Sequence, residues 1–257
     1  MHKYPRTHHL EGSRLQPGDE DLDAVPLSTL RDRYVVIEEK VDGANSAICF
    51  DGEGQLRLQS RGHFLVGGPR ERQFDLLKAW AQSRADELRK LISDRYVLYG
   101  EWSYAKHTVF YDALPHYFLE FDVLDTRADE FLSTARRREL LNMEFIASVP
   151  VLFEGILDDV AALPDFISAS HFKSPHWRTA LRDAAAKAHQ DPDLVARQSD
   201  PSDAMEGLYV KIEEEGGVVE RYKFIRHDFL QAVRASESHW MDRPLLPNRL
   251  APGVELF

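Results

Sequence analysis

Residues 34–62 read YVVIEEKVDGANSAICFDGEGQLRLQSRG. β-Branched and apolar residues on either side of Asp51-Gly52-Glu53-Gly54 predict two strands joined by a glycine-bearing hairpin turn, with Lys40 near a strand end. Further along, RYVLYGEW (95–102) and HYFLEFDVLD (116–125) are short, aromatic and bounded by turn formers, which predicts buried strands. From about Glu71 to Leu91, the residues Phe74, Leu77, Trp80, Leu88 and Leu91 recur at roughly helical spacing, predicting one amphipathic helix, continuous or interrupted, that covers a sheet. Thr134 to Leu141 and Trp177 to His189 also read as helical, and EGLYVKIEE and GGVVERYKFIR predict a second hairpin around Gly216-Gly217. Strand-rich ends separated by helical segments predict an α+β fold of mainly antiparallel sheets with flanking helices, not an alternating βαβ fold.

No repeat or low-complexity tract interrupts the chain, so a single domain over 1–257 is expected, with 1–33 as an N-terminal extension and 227–257 as a short C-terminal tail. A hydrophobic fraction of 43% is ample for a core. Cys49 is the one cysteine, which excludes an intramolecular disulfide and a Cys-rich zinc site and fits a reducing, cytoplasmic setting. The N-terminus has no apolar signal region, and no apolar run approaches the roughly 18 residues a membrane span needs, so no membrane partner is expected. The net charge of −11 argues against a non-specific nucleic-acid coat. A nucleic-acid enzyme of this charge needs a local basic track, with the acidic excess at Asp19 to Asp23 and Glu213 to Glu215 facing elsewhere, and its RNA affinity should be modest and salt-sensitive.

The string most informative about chemistry is Lys40-Val41-Asp42-Gly43-Ala44-Asn45. A lysine is a nucleophile only when neutral, which asks its pKa to fall from about 10.4 toward neutrality, a shift equivalent to roughly 4 kcal/mol. A glycine at 43 lets backbone approach a phosphate closely. Taken alone, the pattern is also that of a surface turn with a solvated lysine. It is followed in order by Ser60-Arg61-Gly62, Gly100-Glu101-Trp102, Phe118-Leu119-Glu120-Phe121-Asp122, Glu206-Gly207 and Arg221-Tyr222-Lys223. Between Val35 and Arg226, this set resembles the covalent nucleotidyltransferase superfamily of ATP-dependent DNA ligases, RNA ligases and mRNA capping enzymes. The Asp-Gly-Ala-Asn continuation and the position of Phe121 are most similar to RNA ligases related to the double-strand-sealing enzymes of T-even phages.

The resemblance implies a nucleotidyltransferase (ATP-grasp-like) domain that uses ATP with Mg2+ or Mn2+ to join RNA 5′-phosphate and 3′-hydroxyl ends. Lys40 would take AMP from ATP as a phosphoramidate, pass it to the RNA 5′-phosphate, and the 3′-hydroxyl would then displace it. Glu39 would lie against adenine largely through its backbone, Asn45 would help fix the nucleotide, and Asp42 matches a variable acidic or histidine position. Arg61 would contact the ribose or the reacting ends, Glu101 would accept a ribose hydroxyl, and Phe121 would stack on adenine. Glu206 would ligate the metal or orient its water shell, and Lys223 would neutralise the α-phosphate. Where the family commonly has Lys-x-Lys, this chain has Arg221 at the first basic position. Lys211 would reach a phosphate, or else stand as an exposed strand lysine. Phe224 to Phe257 is too short for the oligonucleotide-binding (OB) barrel of DNA ligases and capping enzymes, so no C-terminal OB barrel is expected and the tail should open as a short helix and wrap the catalytic domain. With no Gly-x4-Gly-Lys-Ser/Thr loop in the chain, a separate end-healing kinase or phosphatase is the expected partner in RNA repair.

Other readings of single residues stand beside these. Phe121 in its aromatic run reads as core, and Glu101-Trp102 as a strand end. His8 and His9 point to opposite faces of an extended chain and read as solvated or substrate-contacting. Arg136-Arg137-Arg138 reads as a charged helix face, while His171, Lys173 and His176 near Trp177 form a candidate basic-aromatic RNA surface. At the level of function, the alternatives are a capping guanylyltransferase, which would be labelled by GTP, a DNA ligase, and a non-catalytic nucleotide or RNA-end binding module.

Overall fold

In a computed structural model that describes residues 1–14, 23–142, 145–229 and 243–257, residues 34–62 form three strands instead of two. The apolar run breaks at 41–43, where the backbone turns away before Ala44. Along the chain the strands are β1 (His8–Leu10), β2 (Ala24–Val25), β3 (Tyr34–Lys40), β4 (Ala44–Phe50), β5 (Leu56–Ser60), β6 (Tyr96–Trp102), β7 (Phe118–Asp125), β8 (Glu130–Leu132), β9 (Ala147–Ser148), β10 (Val151–Ile156), β11 (Gly207–Glu214) and β12 (Gly217–Ile225). The helices are α1 (Asp75–Ser83), α2 (Ala85–Ile92), α3 (Thr134–Leu140), α4 (Trp177–Lys187) and α5 (Pro192–Arg197). The long helix expected between Glu71 and Leu91 is thus two, parted at Arg84, whose backbone leaves helical geometry at φ −109°, ψ 15°.

The strands form one twelve-stranded sheet in which β10-β3-β11-β12 and β7-β6-β4-β5 are bridged by β8. Pairing is antiparallel, apart from β1 with β12 and β2 and β9 with β7. The β11–β12 hairpin turns at Glu215 (φ 49°) and Gly216 (φ 83°), the two left-handed positions a tight hairpin turn demands. β8 touches its neighbours only at their ends, Phe131 opposite Val218 and Leu124. The halves are therefore hinged at a corner, and their inner faces meet: the Tyr209 and Phe121 rings lie 5.9 Å apart.

Side-chain alternation along each strand sorts the two faces. One outer face buries Val35, Ile37, Leu208, Val210, Ile212 and Phe224 under Leu10, Leu30 and Leu163. The other buries Ile48, Leu98 and Phe118 under Leu77 and Trp80 of α1 and Leu88 and Ile92 of α2. Each of these helix side chains contributes about 1.5–3 kcal/mol by leaving water. Inner positions alternate with this core and carry the polar residues, Glu38, Lys40, Tyr209, Lys211 and Lys223 on one half and Asn45 and Glu101 on the other.

Segments set apart in the sequence reading join this body. β1 extends the sheet beside β12, placing His9 opposite Lys223. Residues 243–257 lie along the loop after β6: Asn248 accepts from the Tyr111 amide at 2.9 Å and donates to the Ser103 carbonyl at 2.8 Å. The helix expected to open the tail begins at 227–229 and otherwise falls outside the described residues, as does the acidic stretch at Asp19 except for Asp23. No described helix is long and apolar enough to cross a membrane.

Candidate active site

Register brings the first two motifs together. Lys40, the last residue of β3, pairs with Gly207 at the start of β11, so Glu206 stands beside the lysine. Lys40 Nζ donates to Glu206 Oε1 at 2.8 Å, with the two side chains 23% and 2% exposed. A Cβ on Gly207 would lie 2.1 Å from the Phe224 carbonyl oxygen, which is why glycine follows Glu206. On the facing half, Asn45 of β4 pairs with Glu101 of β6. A Cβ on Gly43 would come within 2.9 Å of Glu101 Cγ and the Trp102 carbonyl. The missing side chain of Gly43 therefore admits Glu101 and the end of β6.

Charge at this point runs opposite to the expected lowering of the lysine pKa. Burial disfavours the Lys40 ammonium, but the carboxylates of Glu206, Glu101 and Asp42 outweigh it and hold its pKa above the ordinary lysine value. Burial pushes Glu101 up to about 8, opposed by Lys40 and Arg61 and reinforced by Glu206 and Asp42. Arg61 follows β5 at an exposed position. The unliganded lysine is thus a protonated, paired cation and not a ready nucleophile.

The other predicted residues divide between the cleft and its frame. Asp42 Oδ2 accepts from the amides of Thr108 and Val109, each at 2.7 Å, and its own amide donates to the Tyr111 hydroxyl at 2.9 Å, so it caps the loop after β6. The buried Glu39 carboxylate holds the 170–171 loop, accepting from the Ser170 hydroxyl at 2.5 Å, the His171 amide at 3.1 Å and, within 2.9 Å, meeting His171 Nδ1. Phe121 is partly buried between Tyr4 and Tyr209. Lys223 is buried on β12 between Tyr209 of β11 and His9 of β1 in register.

Several expectations are overturned by burial. Lys211 is no exposed strand lysine: its side chain is 0% exposed and pairs with Glu38 at 2.8 Å and Asp122 at 3.0 Å. Arg137 leaves the charged helix face for the same cluster, 2.7 Å from Glu38, 3.4 Å from Glu120 and 3.8 Å from Asp122. Its neighbours Arg136 and Arg138 do stay outside, paired with Glu130 and Glu154. Arg221 packs its guanidinium over the Phe131 ring at 3.9 Å and approaches Asp122 at 3.9 Å. Of the histidine pair, His8 is exposed but His9 is fully buried, not solvated. Of the candidate RNA surface, Lys173 lies over the buried Trp177 ring at 4.5 Å and donates to the Ser202 carbonyl at 2.6 Å, while His171 and His176 are exposed.

Sequence reasoning missed Tyr4, Glu38, Tyr111, Ser170 and Lys106. Glu38-Glu39 carried a signal, since two acids within an apolar strand must each find a partner when buried. Lys106 is pushed down to about 7 by burial and the charge of Arg243, and donates to the carbonyls of His107 at 3.1 Å and Gln198 at 3.3 Å.

The family model for RNA ligase matches residues 33–225. The chain belongs to the RNA ligase family. Solved structures share this chain's fold. A mutant of Naegleria gruberi RNA ligase with ATP and Mn is 15% identical at a TM-score of 0.58, covering 91% of this chain and 59% of that one. Another mutant of it, with AMP and Mn, is 13% identical at 0.57 over 91% and 59%. The same ligase with pyrophosphate is 15% identical at 0.53 over 81% and 54%. The present chain thus spans 54–59% of the length of these matched chains. No curated protein matches it.

Proposed function

We propose that this RNA ligase family member is an ATP-dependent ligase joining RNA 5′-phosphate to 3′-hydroxyl ends through AMP carried on Lys40. The observation that carries the reading is Lys40 paired with Glu206 at the β3–β11 register, with Glu101 within electrostatic reach. The Lys40 amine attacks the α-phosphorus of ATP and pyrophosphate leaves. AMP then passes to the RNA 5′-phosphate, and the 3′-hydroxyl attacks that phosphate and expels AMP. Displacement at phosphorus rests on positioning and on charge neutralisation more than on dedicated proton-transfer groups.

Two carboxylates, Glu206 and Glu101, flank the lysine, and among the described residues no group of three or more His, Cys, Asp or Glu forms a cage of its own. That donor set fits a hard cation such as Mg2+ or Mn2+ held by one or two carboxylates plus substrate oxygens. Such a cation supplies positive charge against the phosphates and against the carboxylates that keep Lys40 protonated. Glu206, now paired with Lys40, would be the carboxylate to hold such a cation, which would free the lysine of that partner. With its pKa near 8, Glu101 can meet a ribose hydroxyl as acceptor or donor. Asn45 and Phe121 line the nucleotide side of the cleft, Glu39 borders it through its backbone, and Lys223 and Arg61 face the phosphate and the RNA ends. Healing of broken ends to 5′-phosphate and 3′-hydroxyl falls to a separate kinase or phosphatase, an idea that fails if the purified chain itself processes 5′-hydroxyl or 3′-phosphate ends.

The deciding experiment incubates wild type and Lys40→Ala with α-labelled ATP or GTP and a divalent cation, then chases with nicked RNA or nicked DNA. Wild type should retain label from ATP and discharge it to RNA, and Lys40→Ala should retain none. Label from GTP would make the chain a capping-type enzyme, discharge to DNA alone a DNA ligase, and no covalent label a binding module.

A further inference from the structure

The first residues of the chain cross the hinge between the two halves of the sheet. The His2 carbonyl accepts from Tyr99 Oη at 2.8 Å and from Gln59 Nε2 at 2.6 Å on one half, while His8–Leu10 pairs with β12 on the other. Between these anchors Tyr4 drops into the cleft, 7% exposed. Its ring meets Phe121 edge-on at 5.2 Å and 87°, Tyr99 at 5.0 Å and Phe131 at 5.7 Å. Its hydroxyl donates to the Asp122 carboxylate and contacts the Tyr209 hydroxyl. Arg221, at the position where the family commonly has lysine, lies over the rings of Phe131 at 3.9 Å and Tyr4 at 5.7 Å. A planar guanidinium stacks on aromatic faces in a way an ammonium does not, so this aromatic corner suits an arginine at 221.

We propose that Tyr4 is a positioning residue for the nucleotide site: its ring fixes the Phe121 ring against which adenine stacks. This rests on the reading of Phe121 as the nucleobase contact. Buried against Phe121 and Tyr209, Tyr4 acts through these neighbours and not on the reacting atoms. An edge-to-face aromatic pair restricts the ring it touches, and losing that restriction weakens a stack made on the opposite face before it slows chemistry.

The test measures lysine adenylylation against ATP concentration in the full chain for Tyr4→Phe, Tyr4→Leu and Phe121→Ala, and for Tyr4→Leu combined with Phe121→Ala, with thermal melts alongside. Tyr4→Phe keeps the ring and should stay within about threefold of wild type in half-saturating ATP. Tyr4→Leu keeps apolar bulk for folding and should raise half-saturating ATP about tenfold while the maximal rate changes less than threefold. In the double variant Tyr4→Leu should add little to Phe121→Ala, as coupled neighbours do. Wild-type ATP dependence in a folded Tyr4→Leu, or a full additive effect in the double variant, overturns the proposal. Unchanged ATP dependence in Phe121→Ala instead removes the nucleobase assignment itself, whatever Tyr4 does.

Discussion

At the residue scale, Lys40 and Glu101 show how one cluster serves opposed demands. Both lie where burial disfavours charge, yet the carboxylates keep Lys40 cationic while Glu101 is forced toward neutrality. Glu101 ionises near 8 in the folded chain against an ordinary 4.5, so its ionised form costs the fold stability. That cost is absent below about 4.5, grows through the interval and is complete above about 8. Glu101→Gln, which cannot ionise, should therefore raise the melting temperature more at pH 9 than at pH 5, while depressing adenylylation of Lys40. An equal gain at both pH values, measured by differential scanning calorimetry, would show that Glu101 is not perturbed. The trade of stability for a working site is common where charges are held together for chemistry.

At the element scale, the site depends on strands that approach more closely than side chains permit. Gly207 sits where β11 and β12 meet, and the position a Cβ would take overlaps the Phe224 carbonyl. Backbone cannot yield as a side chain can, so Gly207→Ala should cost at least about 1–3 kcal/mol and splay the hairpin that carries Glu206 and Lys223. Urea unfolding reads the loss, and an unchanged midpoint would contradict the packing described. The β11–β12 hairpin was legible because glycines and β-branched residues announce it. The extra strand boundary at Val41–Gly43 was not, because Gly43 marks close approach to Glu101 on a strand distant in sequence. Likewise α1 and α2 share a hydrophobic periodicity that does not disclose the break at Arg84.

At the scale of the whole molecule, the halves of the sheet are tied by a buried ionic cluster as well as by β8. Arg137 from α3 and Lys211 from β11 face Glu38, Glu120 and Asp122 from strands of both halves. Removing Arg137 leaves three buried carboxylates facing one lysine, with negative charge uncompensated in the interior. Arg137→Ala should lower stability by about 3–5 kcal/mol in urea denaturation, and adding Glu120→Gln should recover part of that loss. If Arg137→Ala melts like wild type, the cluster is not what ties the halves together.

By itself, the sequence determined the α+β class, the antiparallel strands, the second hairpin and the order of motifs from Lys40 to Lys223, because strand alternation, turn residues and motif spacing are local properties of the chain. It also singled out Lys40 and Glu206, although what joins them is a register that sequence alone does not specify. Only the tertiary structure decided that Lys211 and Arg137 are interior ions, that Lys40 is a paired ammonium, that Gly43 admits Glu101, and that Tyr4 packs between the halves of the sheet. Each of those depends on burial and on partners far along the chain, and the same charged or aromatic residue reads as surface or core until the fold has brought its neighbour to it.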